Sequence, residues 1–151
     1  MTVSISIFKP AELPQQLFYA VLKLRADVFI VEQQSCYPDI DGHDLDEDTV
    51  HLCALEDGIV LCTIRIMEIG SPSPRIGRVA TASSARGRGL AGELMKQAVG
   101  LCQPHAQIQL SAQTQLESWY GKFGFQRSGA DYDDDGIMHL PMIRDGGKAS
   151  L

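Results

Sequence analysis

The chain lacks what would tie it to a metal, a membrane or a nucleic acid. Its four cysteines, Cys36, Cys53, Cys62 and Cys102, include no C-x-x-C pair, so zinc-site spacing is missing and no metal is expected. No stretch approaches the ~20 apolar residues of a membrane span. The opening residues, MTVSISIFKPAELPQQ, carry neither a basic region nor a long apolar run, so they do not read as a signal peptide and a cytoplasmic protein is expected. Basic residues are outnumbered, 13 Lys and Arg against 19 Asp and Glu, for a formal net charge of −6. An acidic chain of this kind is a poor general binder of nucleic acid. The charge reads as ordinary solubility, or as an acidic groove that attracts a cation.

What is present is an ordinary globule. Its 151 residues, 44% apolar and 21% charged, suit one domain over residues 1–151 with a core that needs no staples. Cys53 and Cys62 fall in apolar, strand-like runs and Cys102 on the apolar side of a helical pattern, which predicts buried free thiols.

Val3 to Phe8 alternates apolar and polar residues, the clearest period-two signal in the chain. Leu17 to Val31 has a broad apolar helical face. Gln33 to Asp48 is an acidic loop broken by Pro38 and Gly42. Val50 to Leu55 and Ile59 to Ile69 read as strands joined by the hairpin signal Asp57-Gly58. Ile76 to Ala82 is the next strand. A helix carrying Leu90, Leu94, Ala98 and Leu101 on one face follows and stops at Pro104. Gln107 to Ala112 is a strand, Leu116 to Phe123 a short helix ending at Gly124. Phe125 to Ser128 and Ile137 to Ile143 are strands around the Asp-rich turn Asp131 to Gly136. The tail from Asp145 reads as loose. This order predicts an α/β protein: a mixed, mostly antiparallel sheet of about seven strands flanked by helices, with a parallel pair across the helix that follows Ile76 to Ala82.

The stretch from Ile76 to Gly92 carries the strongest chemical signal. A strand leads through a polar turn into Arg86-Gly87-Arg88-Gly89-Leu90-Ala91-Gly92 and then a helix. The first N–H groups of a helix have no internal partners and sit at its positive end. Glycines let that backbone approach an anion closely. Arg86 and Arg88 add charge. The spacing R-x-x-G-x-A is neither the P-loop nor the dinucleotide fingerprint, so the ligand expected is a phosphate-bearing molecule other than a mononucleotide.

With this loop after the central strand, and with Tyr120-Gly121-Lys122-Phe123-Gly124-Phe125 matching a Y-x-x-x-G-F pattern, the chain resembles the GNAT N-acetyltransferases. The resemblance runs from about Ser4 to Arg144. Within that family it is similar to the ElaA-like acyltransferases, through Leu24-Arg25, Val28-Phe29, Val31-Glu32-Gln33, the Tyr37 to Asp41 stretch, Gly77-Arg78-Val79, and Asp135-Gly136 through His139 and Met142.

The resemblance implies acetyl-CoA as donor and an amine as acceptor, attacking the thioester directly. It implies that Arg86, Gly87, Arg88, Gly89, Leu90, Ala91 and Gly92 hold the pyrophosphate. Val79, Ala80 and Thr81 would bind the pantetheine arm like an added strand. Gln113 stands where many members carry Asn, which keeps an amide, and Ser83 replaces a frequent Pro. Tyr120 matches the family's acid, which protonates the departing sulfur; a core aromatic beside Trp119 is the plainer reading. An alkyl ammonium of pKa ~10.4 must lose a proton before attack, so a base or a water path is needed. Glu32, at the end of the first helix, and His139, in the last strand, are the candidates; a solvated carboxylate and a structural histidine are the alternatives. His51 shares that ambiguity. Asp39, Asp41 and Asp44 read as a solvated loop that could draw in a cation. Arg65 and Arg78 either pair with Glu32 or Glu68 or lie on an exposed face. The run Asp133-Asp134-Asp135-Gly136 lacks the later Glu of a calcium loop and reads as a tight turn.

The resulting expectation is an acetyltransferase acting on a primary amine. A non-catalytic acyl-CoA-binding or protein-interaction module on the same fold is the rival, since fold does not fix function. The acceptor (polyamine, aminoglycoside, peptide N-terminus or lysine) stays open. Dimers are common in the family, but no apolar stripe in this sequence argues for a homodimer.

Overall fold

The computed structural model describes residues 2–12 and 14–146; most of the tail expected to be loose lies outside them. Eight strands form one sheet. They are β1 (Ser4–Phe8), β2 (Val50–Glu56), β3 (Ile59–Met67), β4 (Arg75–Thr81), β5 (Ile108–Gln113), β6 (Gln126–Arg127), β7 (Tyr132–Asp134) and β8 (Ile137–Arg144). The helices are α1 (Gln15–Arg25), α2 (Leu90–Leu101) and α3 (Glu117–Gly121). The strand order is β1-β2-β3-β4-β5-β8-β6, with β7 also on β8. All pairings are antiparallel except β4 with β5.

Local chemistry explains most of these elements. Asp57 and Gly58 both take positive φ, 53° and 76°, the geometry of a two-residue hairpin turn that matches strand twist. The strand missing from the sequence reading is β7. Its three residues are Tyr132, Asp133 and Asp134, and aspartate has little strand preference. The hairpin forms because Asp135 and Gly136 adopt φ 51° and 88°, and the Asp133 carboxylate accepts the Gly136 N–H at 2.7 Å. Gly124 ends the α3 segment at φ 91°, as its place after the helix required.

Helices cover both faces of the sheet. On one, Leu94, Met95 and Ala98 of α2 pack with Leu52, Ile64, Ile66 and Leu110, joined by Tyr120 and Phe125. On the other, Val21 and Leu24 of α1 pack on Phe8, Cys53, Val60 and Ala80. Strands β2 and β3 are buried on both sides, which accounts for their nearly unbroken apolar runs. Each fully buried Leu or Ile stabilises the fold by about 1.5–3 kcal/mol. Cys53, Cys62 and Cys102 are buried thiols, whereas Cys36 is exposed.

The helix expected over Leu17 to Val31 stops being α-helical at Arg25 and continues as a wider π turn, Ala26–Glu32. The Gln33 N–H bonds the Val28 carbonyl, five residues back, at 2.9 Å. This extra residue in the turn keeps Val28 buried, exposes Val31 and carries Glu32 toward the loop that precedes α2. Such turns often occur at functional sites.

Candidate functional site

The site begins where two parallel strands separate. β4 and β5 pair at Arg75 and Gln109 and nowhere further along. On its other edge β4 stays on β3, but with one extra residue: Arg65 lies opposite Gly77 and Thr63 opposite Ala80. Arg78 sits in this bulge at φ 53°. The left-handed conformation costs an L-residue with a side chain roughly 1–2 kcal/mol. The divergence opens a cleft of about 320 Å³ whose walls include Gly77, Arg78, Val79, Gln113, Tyr120 and His139. From Gly77 onward, among the described residues, β4 has no partner strand on the edge that β5 has left.

At its far end β4 runs into the glycine loop. Gly87 and Gly89 take φ 80° and 75°, and a Cβ on either would meet open space. Gly89 caps α2, whose first bond runs from the Glu93 N–H to the Gly89 carbonyl at 3.1 Å. The N–H groups of Leu90, Ala91 and Gly92 therefore have no carbonyl within the helix to bond. Open space, unpaired amides and the positive end of a 12-residue helix make a seat for an anion.

Arg86 and Arg88, expected to add free charge there, are both engaged by carboxylates. Arg86 donates to Glu32 at 2.5 and 2.7 Å and to the Thr81 carbonyl at 3.1 Å. Arg88 donates to Glu56 at 2.8 Å. An anion entering the loop would have to draw these guanidiniums away. Exposed ion pairs stabilise little, so the exchange is easy.

Tyr120 enters the cleft from α3. It is buried, 7% exposed, between Trp119 and Phe125, and burial pushes its hydroxyl up to about 12. The phenol is thus protonated throughout neutral pH. Among the described residues its hydroxyl makes no hydrogen bond. Across the cleft, His139 on β8 holds its Nδ1 at 2.8 Å from the Ile137 carbonyl. A carbonyl only accepts, so Nδ1 is the donor in this contact and Nε2 is the ring nitrogen not used by it. Gln113 ends β5 and is fixed on both sides, donating to Gln33 at 3.2 Å and accepting from Gln115 at 2.7 Å.

The chain is similar to known proteins along nearly its whole length. A family model described as Acetyltransferase (GNAT) domain matches residues 16–145. The chain belongs to the GNAT acetyltransferase family. A UPF0039 protein of Mycobacterium tuberculosis is 39% identical over 155 residues, covering 97% of this chain and 96% of the relative. The ElaA protein of Escherichia coli is 34% identical over 140 residues, 89% and 92% of the two chains. Its crystal structure superposes with a TM-score of 0.88 over 95% of this chain and 100% of ElaA. An acyl-CoA N-acyltransferase structure from Pseudomonas aeruginosa, 36% identical, gives 0.87 over 95% and 99%. The protein is an ElaA-like GNAT, and its sheet is the GNAT sheet.

Asp39, Asp41 and Asp44 of this GNAT are not simply solvated, contrary to the expectation from sequence. Asp39 and Asp44 are 7% and 5% exposed. Arg25, 1% exposed, donates to Asp39 at 3.0 Å and to Asp44 at 2.6 Å. Arg65 binds Asp41 at 2.8 and 2.9 Å and Asp44 at 3.1 Å. Arg78 reaches Asp39 and Asp41 at 2.9 and 3.2 Å. So Arg65 and Arg78 pair with neither Glu32 nor Glu68, and the three aspartates bind no incoming cation but the protein's own arginines. Burial alone would raise the Asp41 and Asp44 carboxyls. The hydrogen bonds and charge of the surrounding arginines, Arg65 foremost for Asp41 and Arg25 for Asp44, together outweigh it and hold both below the usual carboxylate range. The sequence signal was weak because these aspartates pair with arginines 14 to 39 residues distant, on three different elements.

The two other acid–base candidates separate from the cleft. Glu32 is not among its lining residues, and the Arg86 hydrogen bond lowers its pKa, which makes it a weak base. His51 is fully buried, stacked on Phe8 at 5.5 Å, with Nε2 at 2.9 Å from the Asp44 carbonyl. Burial lowers its pKa, so it is a neutral structural residue. Among the described residues there is no cluster fit to hold a metal, and no helix is long and apolar enough to cross a membrane.

Proposed function

We propose that the protein transfers an acetyl group from acetyl-CoA to a primary amine held in the cleft between β4 and β5. The observation that carries this reading is the continuity of one surface: the freed edge of β4 leads to the glycine loop at one end and lies beside the unpartnered Tyr120 hydroxyl. The pyrophosphate sits on the amides of 86–92, over the positive end of α2. The pantetheine arm lies along Val79, Ala80 and Thr81 as the strand that β5 does not supply, with the Gln113 amide at the far lip.

The acceptor amine attacks the thioester carbon. A β4 amide facing the cleft donates to the carbonyl oxygen as it gains charge. As the C–S bond breaks, the phenol of Tyr120 gives its proton to the departing sulfur. The Nε2 of His139 takes the proton from the acceptor nitrogen, directly or through water. Holding donor and acceptor in line supplies much of the rate.

A screen of amines for release of free CoA, with mass spectrometry of products, tests the proposal. The Tyr120→Phe variant is expected to bind CoA as the wild type does and to lose most turnover. CoA binding without turnover on any amine would instead favour a non-catalytic acyl-CoA-binding module.

A further inference from the structure

Resting on the proposed acyl transfer, we propose that Arg78 is a positioning residue: its guanidinium, clamped by the buried aspartates of the 39–44 loop, holds β4 in the bulge that presents backbone amides to the thioester.

Three observations converge on it. First, Arg78 occupies φ 53° at the one extra residue of β4. A strained conformation persists only where its surroundings over-determine it. Second, the side chain is held from several directions. Its Nε lies 2.9 Å from an Asp39 carboxylate oxygen, and Nη2 lies 3.2 Å from both the Asp39 carbonyl and Asp41. The guanidinium also lies over the Tyr37 ring, 5.3 Å from its centre. Third, the anchor is itself rigid. Asp39 is bonded to Arg25, Asp41 to Arg65, and Asp44 to both, with both arginines at 2% exposure or less. Tyr37 and Asp41 also line the cleft. One loop therefore fixes the acceptor-side wall and, through Arg78, the register of the strand that would bind the donor. A planar, multidentate guanidinium suits this role; a lysine could not reach both aspartates and the carbonyl at once.

The test compares wild type with R78A, R78G and R78K. The measurements are crystal structures, calorimetric titration with CoA, thermal melting, and transfer from acetyl-CoA to an amine the wild type accepts. In R78A, residue 78 is expected to move to negative φ and β4 to lose its extra residue. Its kcat falls at least tenfold and by more than CoA affinity does, because the pyrophosphate seat lies on another segment and only the pantetheine arm along 79–81 feels the shift in β4. In R78G, kcat recovers severalfold over R78A, since glycine takes positive φ without a clamp. R78K stays near R78A. The proposal is overturned by an R78A structure that keeps the bulge, by an R78A kcat within twofold of wild type, or by a loss that tracks CoA affinity and melting temperature and is not lifted in R78G. If the wild type transfers no acyl group to any amine, the proposed function fails, and the R78A structure alone decides the clamp.

Discussion

Glu32 and Arg86 grip each other at 2.5 and 2.7 Å, joining the π turn after α1 to the glycine loop before α2. The contact occupies a guanidinium beside the proposed pyrophosphate seat. The Glu32→Gln variant is therefore expected to bind CoA about two- to fivefold more tightly, the range an exposed ion pair supports. The gain should shrink as salt screens the pair. Calorimetry at low and high ionic strength checks it; weaker binding by the variant would mean that Glu32 supports the seat.

The double variant Arg86→Ala with Gly89→Asp should abolish CoA binding. A side chain at 89 would project into the open space before α2, at φ 75°, and a carboxylate there repels a diphosphate. Nothing in the fold is displaced, so the melting temperature should fall only by the few degrees that left-handed strain accounts for. Unchanged calorimetric affinity would remove the pyrophosphate from this loop.

These two expectations differ in how far the sequence supports them. The glycine loop was readable as a turn between strand and helix because its geometry is local: contiguous residues, a strand before and a helix after. The Tyr120 motif was readable for the same reason. The charged network under the cleft was not, because Asp39, Asp41 and Asp44 look like any hydrophilic loop until Arg25, Arg65 and Arg78 arrive from α1, β3 and β4. The bulge at Arg78 was hidden as well. Arginine gives no hint of positive φ, where Gly58 or Gly89 does. β7 was missed because pairing with β8 outweighed the poor strand preference of its aspartates.

His139→Gln should lower kcat by about 10²–10⁴-fold, the usual contribution of a positioned base, while CoA affinity stays near that of the wild type, since His139 lines the cleft and not the glycine loop. Steady-state rates and calorimetric titration of both proteins check this. An unchanged kcat would assign the proton to water alone.

The aspartate network predicts acid sensitivity. Asp41 and Asp44 have folded-state pKa values depressed below the unfolded value, which is about 3.9. Their contribution is therefore complete above that value and is lost as pH falls through and below it. Denaturant unfolding should show stability dropping steeply below about pH 4. Asp44→Asn, which leaves Arg25 and Arg65 short of a buried partner, should cost about 3–5 kcal/mol at pH 7 and give a shallower acid limb. A loss under 1 kcal/mol would show that the loop relaxes around the vacancy.

The accessibility of the four thiols bears on how the enzyme is assayed. Burial pushes the Cys53 thiol up to about 12 and raises those of Cys62 and Cys102, which leaves Cys36 as the exposed sulfhydryl. A chromogenic disulfide reagent that counts liberated coenzyme would register one background equivalent per polypeptide. Cys36→Ser removes that background.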